Sequence, residues 1–141
     1  MEKSSPHHRR GHQPRKRFGQ NFLRDPAIIA HLEDAIGPRP SDHLIEIGPG
    51  LGALTEVLLH SDCRLDAIEL DRDLVTPLLA AFSIYPNFRL HSADALTFDY
   101  RSLRTDDEQL RIVGNLPYNI STPLIFKLLE NADFVRDMHF M

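Results

Sequence analysis

The sequence holds one cysteine, Cys63, in 141 residues. A lone thiol cannot close an internal disulfide and cannot build a cysteine metal cluster. That usage fits a reducing compartment. No apolar run reaches the roughly 18 residues that a membrane span needs, so none is expected. The stretch 1–17 contains no apolar segment, which excludes a secretory signal. It also lacks amphipathic periodicity, which weighs against a transit peptide. No internal repeat is present. What the chain does have is 42% apolar residues, enough for one core and about one domain.

The net charge of −4 hides an asymmetry. Residues 1–17 carry six Lys/Arg (Lys3, Arg9, Arg10, Arg15, Lys16, Arg17) against Glu2, a net of +5. The other 124 residues carry ten Lys/Arg against nineteen Asp/Glu, a net of −9. A basic arm on an acidic body suggests phosphate contact by the arm; a solvated tail is the competing reading. Pro, His, Ser and charge without an apolar period predict that 1–17 is disordered.

Order is expected from 18 onward. Asp25-Pro26 reads as a helix start, with Ile28, Ile29, Leu32 and Ile36 at helical spacing and Gly37-Pro38 as the stop. Short apolar or alternating runs predict strands at 43–48, 64–70, 88–94 and 110–115, with a fifth beginning at 137. Leu51, Leu54, Leu58 and Leu59 predict a helix after the first strand. Leu74, Val75, Leu78 and Leu79 predict another, capped by Asp71 or Asp73 and weakened by Pro77. Residues 99–109 are polar and read as surface. Ser121-Thr122-Pro123 reads as the cap of a helix running to about 129. Alternating strands and helices with short links predict an α/β fold built on a parallel, doubly wound sheet. Stopping on a fifth strand suggests the N-terminal part of a longer protein.

Glu46–Thr55, EIGPGLGALT, joins the first strand to a helix. Its glycines allow a tight turn and close approach of a ligand to backbone. The spacing Gly48-x-Gly50-x-x-Ala53 fits the dinucleotide fingerprint. It fits equally the E-x-G-x-G-x-G loop of nucleoside methyltransferases. Glu69 ends the second strand, where a carboxylate can accept both ribose hydroxyls of an adenosine. This suits NAD and S-adenosylmethionine alike. Asp94 ends the third strand and can accept the exocyclic amine of a cofactor adenine. A helix or turn cap is the plain alternative for each carboxylate.

Asn115–Ser121, NLPYNIS, follows the fourth strand. An aromatic amine is a poor nucleophile because its lone pair is delocalised. Accepting its two hydrogens localises that pair. The Asn115 side chain and a carbonyl held by Pro117 are two such acceptors, and Tyr118 offers a stacking face. Catalysis of this kind is positioning for in-line displacement and needs no strong base. A plain strand-to-helix turn is the alternative.

Taken together, FGQNFL, EIGPGLGALT, ELD, DAL and NLPYNIS resemble, in order and spacing, the small-subunit ribosomal RNA adenine N6,N6-dimethyltransferases. The likeness runs from about Arg17 to the last residue. The related resistance methylases of large-subunit RNA look similar but typically carry isoleucine where this chain has Leu116. The resemblance implies a Rossmann-like S-adenosylmethionine-dependent methyltransferase fold for 18–141, lacking later strands and a C-terminal helical domain. It implies that S-adenosylmethionine is held by Asn21, Leu23, Gly48, Glu69, Asp94 and Asn115, without a metal. Asn115, the Pro117 carbonyl and Tyr118 would position the target adenine. The implied reaction dimethylates two adjacent adenosines near the 3′ end of small-subunit RNA during ribosome maturation. The implied partner is the immature small ribosomal subunit, met in the cytoplasm by a monomer with no membrane contact. The rival reading is an RNA-binding assembly factor with secondary chemistry. A third, an NAD-dependent dehydrogenase, rests on the glycine spacing alone.

Overall fold

A computed structural model describes residues 22–141. The basic arm and Asn21 lie outside the described residues. Five parallel strands form one sheet: β1 (His43–Ile47), β2 (Arg64–Glu69), β3 (Phe88–Ser92), β4 (Leu110–Gly114) and β5 (Val135–Phe140). Their order is β3-β2-β1-β4-β5, so the chain runs outward one way, returns to the centre and runs outward the other way. The doubly wound parallel sheet expected from the alternation of elements is therefore present. Its switch point lies between β1 and β4, and in open α/β sheets ligands bind beyond the carboxyl ends there.

Alternation along each strand splits the core in two. Leu44, Leu65, Ala67, Phe88 and Val113 pack under three helices, α1 (Pro26–Ile36), α2 (Ala53–Leu59) and α3 (Arg72–Phe82). Ile45, Ile47, Ile68 and Ile112 point the other way, toward α4 (Tyr118–Leu129) and a 3-10 turn at Tyr100–Leu103. Both faces of β1 and β4 are buried along their whole length, so their apolar residues do not simply alternate with polar ones.

Asp25 caps α1 through its side chain, and Gly37 ends it in the left-handed conformation. Asp71, not Asp73, caps α3. Pro77 does not break α3: it stands one turn in and is exposed, so only one early backbone bond is lost. Two expectations need correction. The 99–109 stretch is not all surface, because the 3-10 turn buries Tyr100 and Leu103. And α4 starts at Tyr118 rather than at Ser121. Pro117, with φ −61° and ψ 146°, serves as its cap, and Ser121 already lies in the first turns with its hydroxyl donating to the Tyr118 carbonyl.

Buried polar groups tie the strands together. Asp66 on β2 meets His43 Nε2 at 2.5 Å, His91 Nε2 at 2.8 Å and Arg89 Nε at 3.0 Å. Burial alone would raise its carboxyl, but hydrogen bonds from His43, His91 and Arg89 outweigh this and hold it well below the usual carboxylate range. A depressed folded-state pKa gives stability that is complete above the unfolded value near 4 and lost as pH falls through the folded one. Thermal melts should therefore drop steeply from about pH 4 downward. Asp66→Asn should be less stable at pH 7 and lose less on acidification; an identical acid slope would remove Asp66 from the account.

Candidate cofactor and target-base cleft

A cavity of about 550 Å³ opens at the carboxyl ends of β1, β2, β3 and β4. That volume is ordinary for a small-molecule site. Each element brings one wall. The segment before α1 contributes Phe22 and Leu23, and the β1–α2 loop contributes Gly48, Pro49 and Gly50. Glu69 arrives from the end of β2, and Asp94 from just after β3. Asn115, Leu116, Pro117 and Tyr118 close the side next to β4. Every expected site residue within 22–141 thus faces one cavity.

The glycine loop has a steric reason. Gly50 has φ +61°, and a Cβ there would stand 2.6 Å from the Phe22 ring. Gly52 has φ +88°, and its Cβ would stand 2.3 Å from the Phe82 ring on α3. Backbone conformation and packing both require glycine at these two positions. Gly50→Ala should push Phe22 off the loop and weaken cofactor binding by about tenfold or more, roughly 1.4 kcal/mol. Titration calorimetry beside a thermal melt checks this; unchanged affinity would show that the Phe22–Gly50 contact is only packing.

Glu69 is buried, so the reading of it as a surface cap does not hold. Its Oε1 accepts from the Gly50 N–H at 3.1 Å and its Oε2 from the Asp71 N–H at 2.9 Å. Burial raises its carboxyl, against the pull of those N–H groups. The carboxylate therefore braces the glycine loop from the neighbouring strand and keeps lone pairs for a ligand. Asp94 uses Oδ1 to accept from the Leu96 N–H at 2.9 Å, the turn-capping role that the sequence left open. Its second oxygen remains for a ligand. Burial also raises the Tyr100 phenol, whose hydroxyl donates to the Ala95 carbonyl at 2.7 Å and so fixes the Asp94 turn from below.

The NLPY stretch is anchored on both sides. The Leu116 N–H donates to the Met141 carbonyl, and the Met141 N–H donates to the Gly114 carbonyl, each at 3.1 Å. Tyr118 is 85% exposed at the first position of α4, its ring unused by the core. One expected acceptor is already engaged within the chain. The Pro117 carbonyl accepts from both the Ile120 and Ser121 N–H groups at 3.0 Å, as the first turn of α4 requires. It is not a spare acceptor. The Leu116 carbonyl has no hydrogen-bond partner among the described residues and lines up next in the chain for that role.

Sequence comparison bears on which chemistry this cleft serves. Residues 11–141 match the family described as "Ribosomal RNA adenine dimethylase". The chain belongs to that family. The chain is 60% identical over 131 residues to the ribosomal RNA small subunit methyltransferase A of Marinobacter nauticus, covering 93% of this chain and 47% of that protein. It spans about half the length of the curated relatives it matches. Among solved structures, the 23S rRNA methyltransferase ErmE superposes with a TM-score of 0.68 at 33% identity, over 78% of this chain and 43% of that one. A dimethyladenosine transferase from Plasmodium falciparum superposes with a TM-score of 0.70 at 27% identity, over 85% and 43%. The resemblance drawn from the motifs is therefore borne out, as is the Rossmann-like methyltransferase fold.

Two residues of this cleft carried no assigned role in the sequence. Phe22 stands inside FGQNFL, but its task depends on contact with Gly50, which sequence does not display. Glu46 heads the glycine loop and lines the cavity, fully buried. Its position in the E-x-G-x-G-x-G pattern was the available signal. No helix among the described residues is long and apolar enough to cross a membrane.

Proposed function

We propose that this chain forms the cofactor and target-base cleft of an S-adenosylmethionine-dependent enzyme that dimethylates adenine amines in small-subunit ribosomal RNA. Two adjacent adenosines near the 3′ end are the targets, modified during subunit maturation in the cytoplasm by a monomer. One observation carries the reading: the glycine loop, Glu69, Asp94 and Asn115-Leu116-Pro117-Tyr118 line a single cavity at the switch point. The donor set fits the cofactor. Glu69 offers a carboxylate to a ribose diol, Asp94 offers one oxygen to an adenine amine, and the loop offers backbone at close approach.

S-Adenosylmethionine, when bound, supplies an electrophilic methyl group on a sulfonium. The chain's residues do the rest by placement. Asn115 accepts one amine hydrogen of the target adenine through its side-chain oxygen. The Leu116 carbonyl accepts the other. Together they concentrate the lone pair on nitrogen and aim it at the methyl. Tyr118 stacks on the base once it has left its helix or been met unpaired. Pro117 fixes the backbone between these groups through its locked φ. The amine sheds one proton to solvent as the new N–C bond forms. A neutral amide at 115 avoids placing another anion beside an RNA backbone.

Calorimetry with S-adenosylmethionine and with NAD separates the methyltransferase from a dehydrogenase: binding of the first and not the second is expected, and the reverse would overturn the proposal. The +5 charge of residues 1–17 also favours a role in holding RNA. A transfer-dead variant that still delays subunit assembly would give that second reading priority.

A further inference from the structure

Glu46 is a buried carboxyl that the scheme above leaves without a task. It sits on β1, two residues before the first glycine of the loop, and is 2% exposed. The Thr55 hydroxyl of α2 donates to its Oε1 at 2.5 Å. Its Oε2 has no hydrogen-bond partner among the described residues, and the residue lines the cavity. Its neighbours among the described residues come from the adjoining strands and helices. Beside it in the sheet stand Ala67 of β2 and Val113 of β4, both apolar. The carboxylate of Glu69 lies on the same cavity, as does Asp94. On α2, Glu56 is exposed and turned to solvent. Arg111 of β4 is committed to Asp42 and Asp137, and His139 of β5 to Asp137.

An anion at this place would be out of water, near a second anion and held by one hydroxyl. Burial and the Glu69 charge, against the Thr55 bond, push the carboxyl up to about 7. What would favour its ionised form is a cation delivered into the cavity. The donor of the proposed reaction is such a cation: its sulfonium gives it one more positive charge than the thioether product.

We propose that Glu46 is a specificity-determining residue of this cleft: it holds a proton while the cleft is empty, yields it when the sulfonium donor enters, and thereby favours donor over product. The inference rests on reading the cavity as a methyl-donor site. No covalent bond changes; the carboxyl proton passes to the buffer. After methyl transfer the positive charge leaves the cofactor, Glu46 takes up a proton again and the product is held less tightly. The complex favours the ionised carboxyl, so donor affinity weakens as pH falls below about 7, by at most about tenfold per unit, and levels off above. The donor's own amino group titrates near 8 and stays charged across that window.

The test is calorimetry at pH 6.5 in two buffers of unlike ionisation enthalpy, with S-adenosylmethionine and then S-adenosylhomocysteine. We expect about half to one proton released per donor bound, clearly fewer for the product, and a donor preference that Glu46→Gln reduces several-fold. Equal release by the two ligands, or release unchanged in Glu46→Gln, overturns the role of Glu46. Should Glu46→Gln fail to fold, the comparison of the two ligands on the unaltered chain decides alone. Absence of any donor binding overturns the methyl-donor reading itself, whereas binding without the proton difference overturns only this inference.

Discussion

Asn115→Ala, in the chain extended to the length of its relatives, lowers methyl transfer about a thousandfold, close to 4 kcal/mol of barrier, and leaves donor binding weaker but measurable. The size follows from what the side chain would do. Without its acceptor, one amine hydrogen of the target is left unpaired in a dry site and the lone pair returns to the ring. The surrounding frame stays, because Leu116 and Gly114 are held by Met141 through backbone bonds that the substitution does not touch. Asn115→Asp keeps an acceptor and adds a charge, so it should fall between the two. Single-turnover transfer measured beside calorimetry separates chemistry from binding. A full rate in Asn115→Ala would remove the positioning role altogether.

Arg111→Met destabilises the fold by about 3–5 kcal/mol, as expected when one partner of a buried ion pair is removed. The guanidinium is 5% exposed. Its Nη1 donates to Asp42 Oδ2 at 2.8 Å and its Nε to Asp137 Oδ1 at 2.9 Å, while its Nη2 donates to the Ile36 carbonyl. One side chain therefore joins the end of α1, the turn before β1, and strands β4 and β5. Hydrogen bonds from it raise its own pKa, chiefly through Asp137, and hold the Asp137 carboxyl below its ordinary range despite burial. Methionine cannot replace the guanidinium and leaves buried Asp42 with only the exposed Arg136, whose Nη1 stands 3.6 Å from its Oδ1. Urea unfolding of the two proteins gives the difference. A loss under about 1 kcal/mol would mean that the carboxylates are rehydrated and that the cluster only orients β5.

The inner strands β1, β2 and β4 were legible because their apolar residues run up to a glycine or a carboxylate, as suits parallel strands buried on both faces. The cleft was legible for a related reason: ligand-type residues at successive strand ends converge on one rim once the sheet is parallel. Gly48, Glu69, Asp94 and Asn115 needed nothing more than that rule. What was hidden depends on pairing at a distance. His43 and Asp66 are 23 residues apart and meet only when β1 and β2 align. Tyr100 looked like surface because its neighbours are charged, yet its ring is buried in the core on the α4 side of the sheet. The start of α4 was misplaced since Ser121-Thr122-Pro123 has the side chains of a cap, whereas Pro117 caps with its backbone carbonyl alone. That same carbonyl, expected to receive the amine, is engaged by the Ile120 and Ser121 N–H groups.

The central claim is that this cleft brings a methyl donor to an adenine amine. Labelled methyl transfer to unmodified small ribosomal subunits, by the chain extended to its relatives' length, tests it most directly. The account predicts label in N6,N6-dimethyladenosine near the 3′ end of the RNA, lost in Asn115→Ala. Donor binding with no label on adenine, or label on another base, would contradict it.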